Sequence, residues 1–524
     1  MTGDLRYRLE RFLPVRRATR LVSVQAMLIG VAAFVGLIVT SCKSGDPSDR
    51  SDVSTTGSTS TTTTTGKRRV DGAATFTELT AGSMVPPLSV QAGPDLAASG
   101  YRQVEYAASG TATRYRSADE LAGDGDFEFT PGESSPFSTR VLVKRPGSAD
   151  RFNGTVVVEW LNVSSGSDAA PDYTYLADEL VRSGYAYVGV SAQYIGVEGG
   201  PVSVEISANP IAGKGLRTLD PERYGTLDHP GDAYSYDIFT KVAEGIRSAD
   251  GPLSGLDVKT VIAAGESQSA EALTTYYDGV QPLVHEFDGF LIHSRAGAPL
   301  PLGEGGRGIA ATGTLAAEPV KLRTDIGTPV MVVQTETDVA GPLDSLRARQ
   351  GDSDTYRLWE VAGTAHVDLV QIGPVEPTLR CLVPINRGQQ EFVVRAALAA
   401  LNTWATTGSA PTKAARLEVR GHGDRAEYVT DDDGNVRGGV RTPVVDAPVD
   451  RLSGIAPEGS SLACMLAGST TPLSAERLAA RYSSREQYLS EYRAATDRAI
   501  RAGVMLEADR REIEDGAQPD RIAG

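Results

Sequence analysis

The sequence predicts an α/β fold in which a mostly parallel sheet is flanked by helices, with a lid excursion and a C-terminal cap. Three observations carry that expectation. Short apolar runs bounded by turn residues alternate with helical stretches between residues 139 and 406. One run, Val261-Ile262-Ala263-Ala264, turns through Gly265-Glu266-Ser267-Gln268-Ser269 straight into a helical stretch. Two later runs end in polar loops that present Glu336, Asp338 and His366.

Taken in order, residues 139–144 and 154–160 read as early strands, the second β-branched and buried. Residues 173–182 place Leu176, Leu180 and Val181 on one side of a helix, and 185–191 alternate into another strand. Strand, helix, strand is the grammar of a parallel sheet. Residues 193–231 lose all pattern and turn Gly- and Pro-rich, which predicts a lid or pocket wall. A helix over 237–247 leads to the strand at Val261, and a helix over 270–277 leaves it. Residues 287–295 and 328–334 read as strands, 356–366 as a strand running into a histidine loop, and 391–406 as the helix behind the sheet. From 415 to 443 the chain is polar and Gly-rich. Its Asp431-Asp432-Asp433-Gly434-Asn435 string reads as a solvated hairpin turn, because no glutamate follows at the spacing of a calcium loop. Residues 474–516 are helical, with Ser483 and Glu486 as a capping box. The domain reading is a body over 70–414 and a cap over 415–524 that belongs to the same unit and has no chemistry of its own.

The strand, Gly265-Glu266-Ser267-Gln268-Ser269 turn and helix form a nucleophile elbow, in which small neighbours let a tight turn lift the serine hydroxyl clear of the sheet. Ser269 stands where the usual pattern has a second glycine. Serine, then an acid after a strand, then a histidine after the last strand is the chain order of α/β-hydrolases. With five histidines in 524 residues, chance does not readily put one in that slot. Ser267 and His366 are therefore the expected nucleophile and base. Glu336 and Asp338 both remain open as the acid, and the distance past the strand end favours Asp338. The oxyanion hole is expected from the N–H of Gln268 and from the loop after Trp160, where Asn162 and Val163 stand. Arg295, at a strand exit, and His229, in the excursion, are the expected substrate-facing residues. Asp228, His229 and Asp232 lack the second His or Cys cluster that a metal site needs. His293 reads as a packed core residue.

The chain is acidic, with a formal charge of −16, and six arginines fall within residues 1–41, so the remainder is more acidic still. No basic patch invites a nucleic acid. Arg16, Arg17 and Arg20 precede an apolar segment over 21–39 that ends Val39-Thr40-Ser41-Cys42. That is the pattern of a secretory leader, and its ending resembles a bacterial lipobox that would lipidate Cys42. The alternative is an uncleaved membrane anchor. Both readings put the body outside the cytoplasm, held at the membrane. Residues 43–69 are a Ser/Thr-rich tether too polar to fold. Cys381 and Cys464 are left as a possible disulfide or as two free thiols.

The strings Asn153-Gly154-Thr155-Val156-Val157-Val158-Glu159-Trp160-Leu161-Asn162-Val163, Gln334-Thr335-Glu336-Thr337-Asp338 and Gly438-Gly439-Val440-Arg441-Thr442-Pro443 resemble the bacterial family labelled "alpha/beta hydrolase domain". The stretches 224–236, 264–270 and 359–366 fit it too, and the similarity spans roughly residues 75–515. The resemblance implies a hydrolytic fold with the cap as part of it, and no particular substrate. The expectation is thus a cell-envelope serine hydrolase acting on a small-molecule carboxylic ester without a cofactor. An acyltransferase with the same acyl-enzyme, or a binding lipoprotein on a retired hydrolase fold, are the competing readings.

Overall fold

The computed structural model describes residues 72–523 apart from 89–92, 122, 206–208, 311–316 and 422. The expected leader with Cys42 and the tether up to residue 69 lie outside the described residues.

Among the described residues nine strands form the main sheet: β1 (Thr75–Glu78), β2 (Tyr101–Ser117), β3 (Phe129–Pro146), β4 (Thr155–Trp160), β5 (Ala186–Val190), β6 (Thr260–Glu266), β7 (Gly289–His293), β8 (Val330–Thr335) and β9 (Tyr356–Val361). Their order is β1-β2-β3-β5-β4-β6-β7-β8-β9. From β5 to β9 every neighbouring pair is parallel, while β1, β2 and β3 form an antiparallel ribbon that joins the sheet through β3 and β5.

The parallel strands are short, mostly apolar and buried along their whole length. Their two-residue period explains why. Val156, Val158, Val261, Ala263, Phe290, Ile292, Val330 and Val332 point into one core. Val157, Ile262, Ala264, Leu291, Met331, Val333 and Trp359 point into the other. The first core is covered by α2 (Ser235–Ile246) and α3 (Gln268–Thr275), the second by α1 (Pro171–Arg182), α5 (Gln390–Thr407) and α6 (Arg485–Arg501). A short helix, α4 (Glu336–Ala340), follows β8 directly. With both faces covered, each fully buried Val or Leu contributes roughly 1.5–3 kcal/mol.

The ribbon is the largest departure from the sequence reading, which began the sheet at residue 139. β2 and β3 carry Gly110, Pro131 and Pro136 and a polar outer face, features that lower strand propensity. Pairing along nearly their full length overrides it.

Three smaller expectations also change. Among its described residues the excursion over 193–231 contains three short helices, Tyr194–Glu198, Leu216–Leu219 and Pro221–Tyr224. The cap of α6 is Ser484, which accepts from the Gln487 N–H at 3.2 Å, whereas Ser483 binds the Gln487 side chain. The capping signature is therefore Ser484 with Gln487, one residue on from Ser483 and Glu486. The Asp431–Asn435 turn is a hairpin, but not a solvated one. Asp433 is buried and accepts from Arg477 at 2.6 Å and Arg481 at 2.8 Å, which ties the turn to the C-terminal helices.

Candidate active site

Ser267 stands alone between the end of β6 and the start of α3, at φ 64° and ψ −123°. A non-glycine residue in that region is strained, so the surroundings must hold it there. The Ser267 N–H donates to His293 O on β7 at 3.0 Å, and the Ser267 carbonyl accepts from the Glu271 N–H at 3.1 Å. Gly265 is required by close approach: a Cβ there would lie 3.0 Å from Ser269 Cβ and 3.1 Å from Leu273 Cδ1. Small residues at 265 and 269 are thus what the turn needs, and a serine satisfies the second place.

His366 follows β9 through a loop that turns at Gly363, where φ is 71°. Its backbone N–H donates to Thr337 Oγ1 at 3.2 Å. The ring lies between two partners: Nδ1 is 2.7 Å from Asp338 Oδ1, and Nε2 is 2.8 Å from Ser267 Oγ. Asp338 accepts a hydrogen bond from Nδ1–H, which fixes the tautomer and leaves Nε2 bare to accept from the serine hydroxyl. Burial pulls the His366 pKa down, but Asp338, Glu266 and Glu271 outweigh it and the net shift is upward.

Asp338 is aimed by its own helix end. Thr335 caps α4 in a capping box: Asp338 Oδ2 accepts from the Thr335 N–H at 2.6 Å, and Thr335 Oγ1 accepts from the Asp338 N–H at 3.4 Å. Holding Oδ2 in the cap leaves Oδ1 for the imidazole. Glu336 takes a different task. Its Oε1 accepts from the Gly363 N–H at 2.6 Å and its Oε2 from the Gly454 N–H at 2.8 Å. Burial pushes its carboxyl up to about 7, with those two amides pulling it back. Of the two acids left open by the sequence, Asp338 meets His366 and Glu336 does not.

The loop after β4 reaches the elbow through Asn162, whose Nδ2 donates to Glu266 O at 3.0 Å. The Asn162 backbone N–H is committed to Ala169 O at 2.9 Å, so this residue braces the loop and does not offer an oxyanion donor. That leaves Val163 in the loop and Gln268 at the N-terminal end of α3, where the helix dipole favours negative charge.

Two lobes of a cleft meet at Ser267 and His366. The larger, of about 670 Å³, is lined by Asn162, Ser164, Glu266 and Gln371 together with Leu379 and Leu466. The smaller, of about 450 Å³, is lined by Val204, Gln268, Leu343 and Leu462. The excursion supplies Val204 and the C-terminal region supplies Leu462, Ala463 and Leu466. The segment read as having no chemistry of its own therefore forms one wall of the cleft. It is fastened there by a Cys381–Cys464 disulfide, with Cα atoms 5.5 Å apart.

Arg295 and His229 are not cleft residues. The Arg295 guanidinium is buried and donates to Thr274 Oγ1 at 3.2 Å and Val320 O at 2.5 Å. His229 is buried, with Nε2 2.9 Å from Ala192 O and Nδ1 accepting from the Gly231 N–H at 3.2 Å. Both side chains hold loops, because a strand exit or a loop position does not determine which way a side chain turns. Asp232 likewise accepts from the N–H groups of Tyr194 and Ile309, each at 2.7 Å. Among the described residues no group of three or more His, Cys, Asp or Glu could hold a metal ion. His293 is in the core, hydrogen-bonded to Asp172 and Gln390. Glu266 and Gln371 went unnoticed in the sequence. The available signal was a carboxylate at the last position of an otherwise apolar buried strand.

The family model described as "Alpha/beta hydrolase domain" matches residues 63–515. No curated protein matches the chain. Among solved structures, an esterase from Rhizomucor miehei is 10% identical over 57% of this chain and 85% of that one, with a TM-score of 0.29. Est1E from Butyrivibrio proteoclasticus is 11% identical over 49% of this chain and 90% of that one, at 0.27. A lidless a/b serine hydrolase from Xanthomonas campestris is 14% identical over 49% and 86%, at 0.26. The matched span takes in Ser267, Asp338 and His366 as well as the segment that walls the cleft, and the chain belongs to the alpha/beta hydrolase domain family.

Proposed function

We propose that this hydrolase is a carboxylic-ester hydrolase in which Ser267, His366 and Asp338 act as a catalytic triad. The observation that carries the reading is the unbroken line from Asp338 Oδ1 through the imidazole to Ser267 Oγ, with contacts of 2.7 and 2.8 Å. His366 takes the serine proton as Oγ attacks the ester carbonyl, then returns it from Nε2 to the leaving alcohol. Asp338 keeps the tautomer and stabilises the imidazolium. The N–H groups of Gln268 and Val163 receive the oxyanion, each worth about 3 kcal/mol of barrier. Water then repeats the cycle on the acyl-enzyme, so the scheme runs on the chain's own groups.

Fluorophosphonate should label wild-type protein at Ser267. Ser267→Ala should fold, as read by circular dichroism, and lose p-nitrophenyl butyrate hydrolysis by at least about a thousandfold. A folded Ser267→Ala that keeps its activity would exclude the reading. The cellular setting is proposed on the leader alone: lipidation of Cys42 would hold the body at the outer face of a membrane. Labelled fatty acid should enter the wild-type protein and not Cys42→Ser, and equal labelling of both would exclude the anchor.

A further inference from the structure

The polar end of the larger lobe contains a group that the triad leaves unused. Glu266, the last residue of β6, is buried and lines the cleft. Its Oε2 accepts from Gln371 Nε2 at 3.3 Å. Its Oε1 makes no hydrogen bond among the described residues and lies 3.7 Å from His366 Nε2. A buried carboxyl oxygen left without a donor is costly, and such groups are rare in folded proteins. Here it belongs to a residue that lines the lobe beside Asn162, Ser164 and Gln371, with Leu88, Pro171, Ile372, Leu379 and Leu466 supplying apolar wall. A few polar groups converging in an apolar cleft are what fix the orientation of a ligand.

The position also says which half of an ester it meets. Nε2 of His366 returns the proton to the leaving oxygen, so that oxygen must sit against Nε2. Glu266 Oε1 is a neighbour of that place, 3.7 Å from Nε2. A hydroxyl on the carbon next to the ester-bearing carbon places a donor within hydrogen-bond reach of that neighbour.

Resting on the serine-esterase reading, we propose that Glu266 is a specificity residue that accepts a hydrogen bond from a hydroxyl vicinal to the scissile ester oxygen. The preferred substrates are then acyl esters of vicinal diols and larger polyols. The hydroxyl forms and breaks no covalent bond; it satisfies Oε1 and holds the leaving oxygen against Nε2. Burial pushes the Glu266 carboxyl up to about 7, with His366 and His293 pulling it back, and a carboxyl oxygen accepts in either protonation state. A site built around a buried acceptor rejects a ligand without the donor far more strongly than an apolar pocket rejects a missing methylene.

The test compares glycerol 1-butyrate with n-propyl butyrate, which share the acyl group and the alcohol's carbon count and differ in hydroxyls. Wild-type kcat/KM should favour the glycerol ester by about tenfold or more. Glu266→Leu should bring the ratio to within about twofold, and Glu266→Gln, which keeps an acceptor oxygen, should fall between. Each ratio is taken within one protein, so a general loss of activity cancels. A wild-type ratio near one overturns the proposal, as does a Glu266→Leu protein that keeps the wild-type ratio. In both cases the esters are hydrolysed and the esterase reading stands. If neither ester is hydrolysed while fluorophosphonate still labels Ser267, the diol-ester class alone is overturned. If the labelling fails as well, the esterase reading falls and takes this one with it. Should Glu266→Leu not fold, the wild-type ratio and Glu266→Gln decide: a glutamine variant with a reduced preference supports the proposal, and one that loses none of it overturns it.

Discussion

The turn after β8 has two sides, and they serve different ends. On one side Asp338 faces His366, and on the other Glu336 faces the Gly363 and Gly454 amides. Both carboxylates are fully buried, two residues apart, and nothing in their own chemistry distinguishes them. What separates them is the donor each meets. In the proposed mechanism the imidazole changes charge during the reaction, which makes its carboxylate part of the chemistry. Two fixed backbone amides make theirs a structural fastening between the histidine loop and the C-terminal segment.

Replacing each acid by its amide should split the two roles. Asp338→Asn has the largest expected effect: turnover should fall by up to about ten-thousandfold, because the amide offers its N–H₂ to one of two donors that both need an acceptor. Its thermal unfolding should shift little by comparison. Glu336→Gln should show the reverse pattern. One backbone N–H is left facing an amide N–H₂ in the interior, which costs about 1–3 kcal/mol of stability, while turnover on p-nitrophenyl butyrate falls less than about tenfold. Steady-state kinetics and chemical denaturation of the two proteins check both halves, and an exchange of the two patterns would reverse the assignment of the acid.

The smallest effect concerns pH. Glu336 has a folded pKa of about 7, raised from an ordinary value of 4.5, so the unfolded chain releases this proton first. Its stabilising contribution is fully present below 4.5 and is lost as pH rises towards 7. Glu266 is raised in the same way and adds to the same slope. The fall in unfolding free energy across that window should therefore be shallower in Glu336→Gln than in wild type. Activity runs the other way, since His366 must be neutral and its pKa is raised: the acid limb of kcat/KM should lie above the ordinary histidine value.

The parallel half of the sheet was legible because burial on both faces writes itself as short apolar runs. The elbow was legible because Gly265 and Ser269 are forced by close approach. The antiparallel ribbon was not, since one of its faces is wet and its Gly and Pro residues speak against a strand. The choice between Glu336 and Asp338 was only half legible. Spacing past the strand leaned to Asp338, but the deciding device, the Thr335 capping box, acts through the backbone. Arg295 and His229 were misread because position along the chain was taken for direction in space. The role of residues 462–466 could not be read at all, for a short apolar helix looks the same whether it packs on a core or walls a cleft.

The reach of that C-terminal segment has a consequence for how the protein is made. A chain leaves the ribosome from its N-terminus and tends to fold in that order, so Ser267, Asp338 and His366 emerge well before their surroundings are complete. Gly454, which fastens the histidine loop through Glu336, and Leu466, which walls both lobes, arrive late. Cys381 must then wait for a partner 83 residues further on. The half-made chain brings Ser267 and His366 to a cleft with one wall missing, and a later stretch supplies that wall.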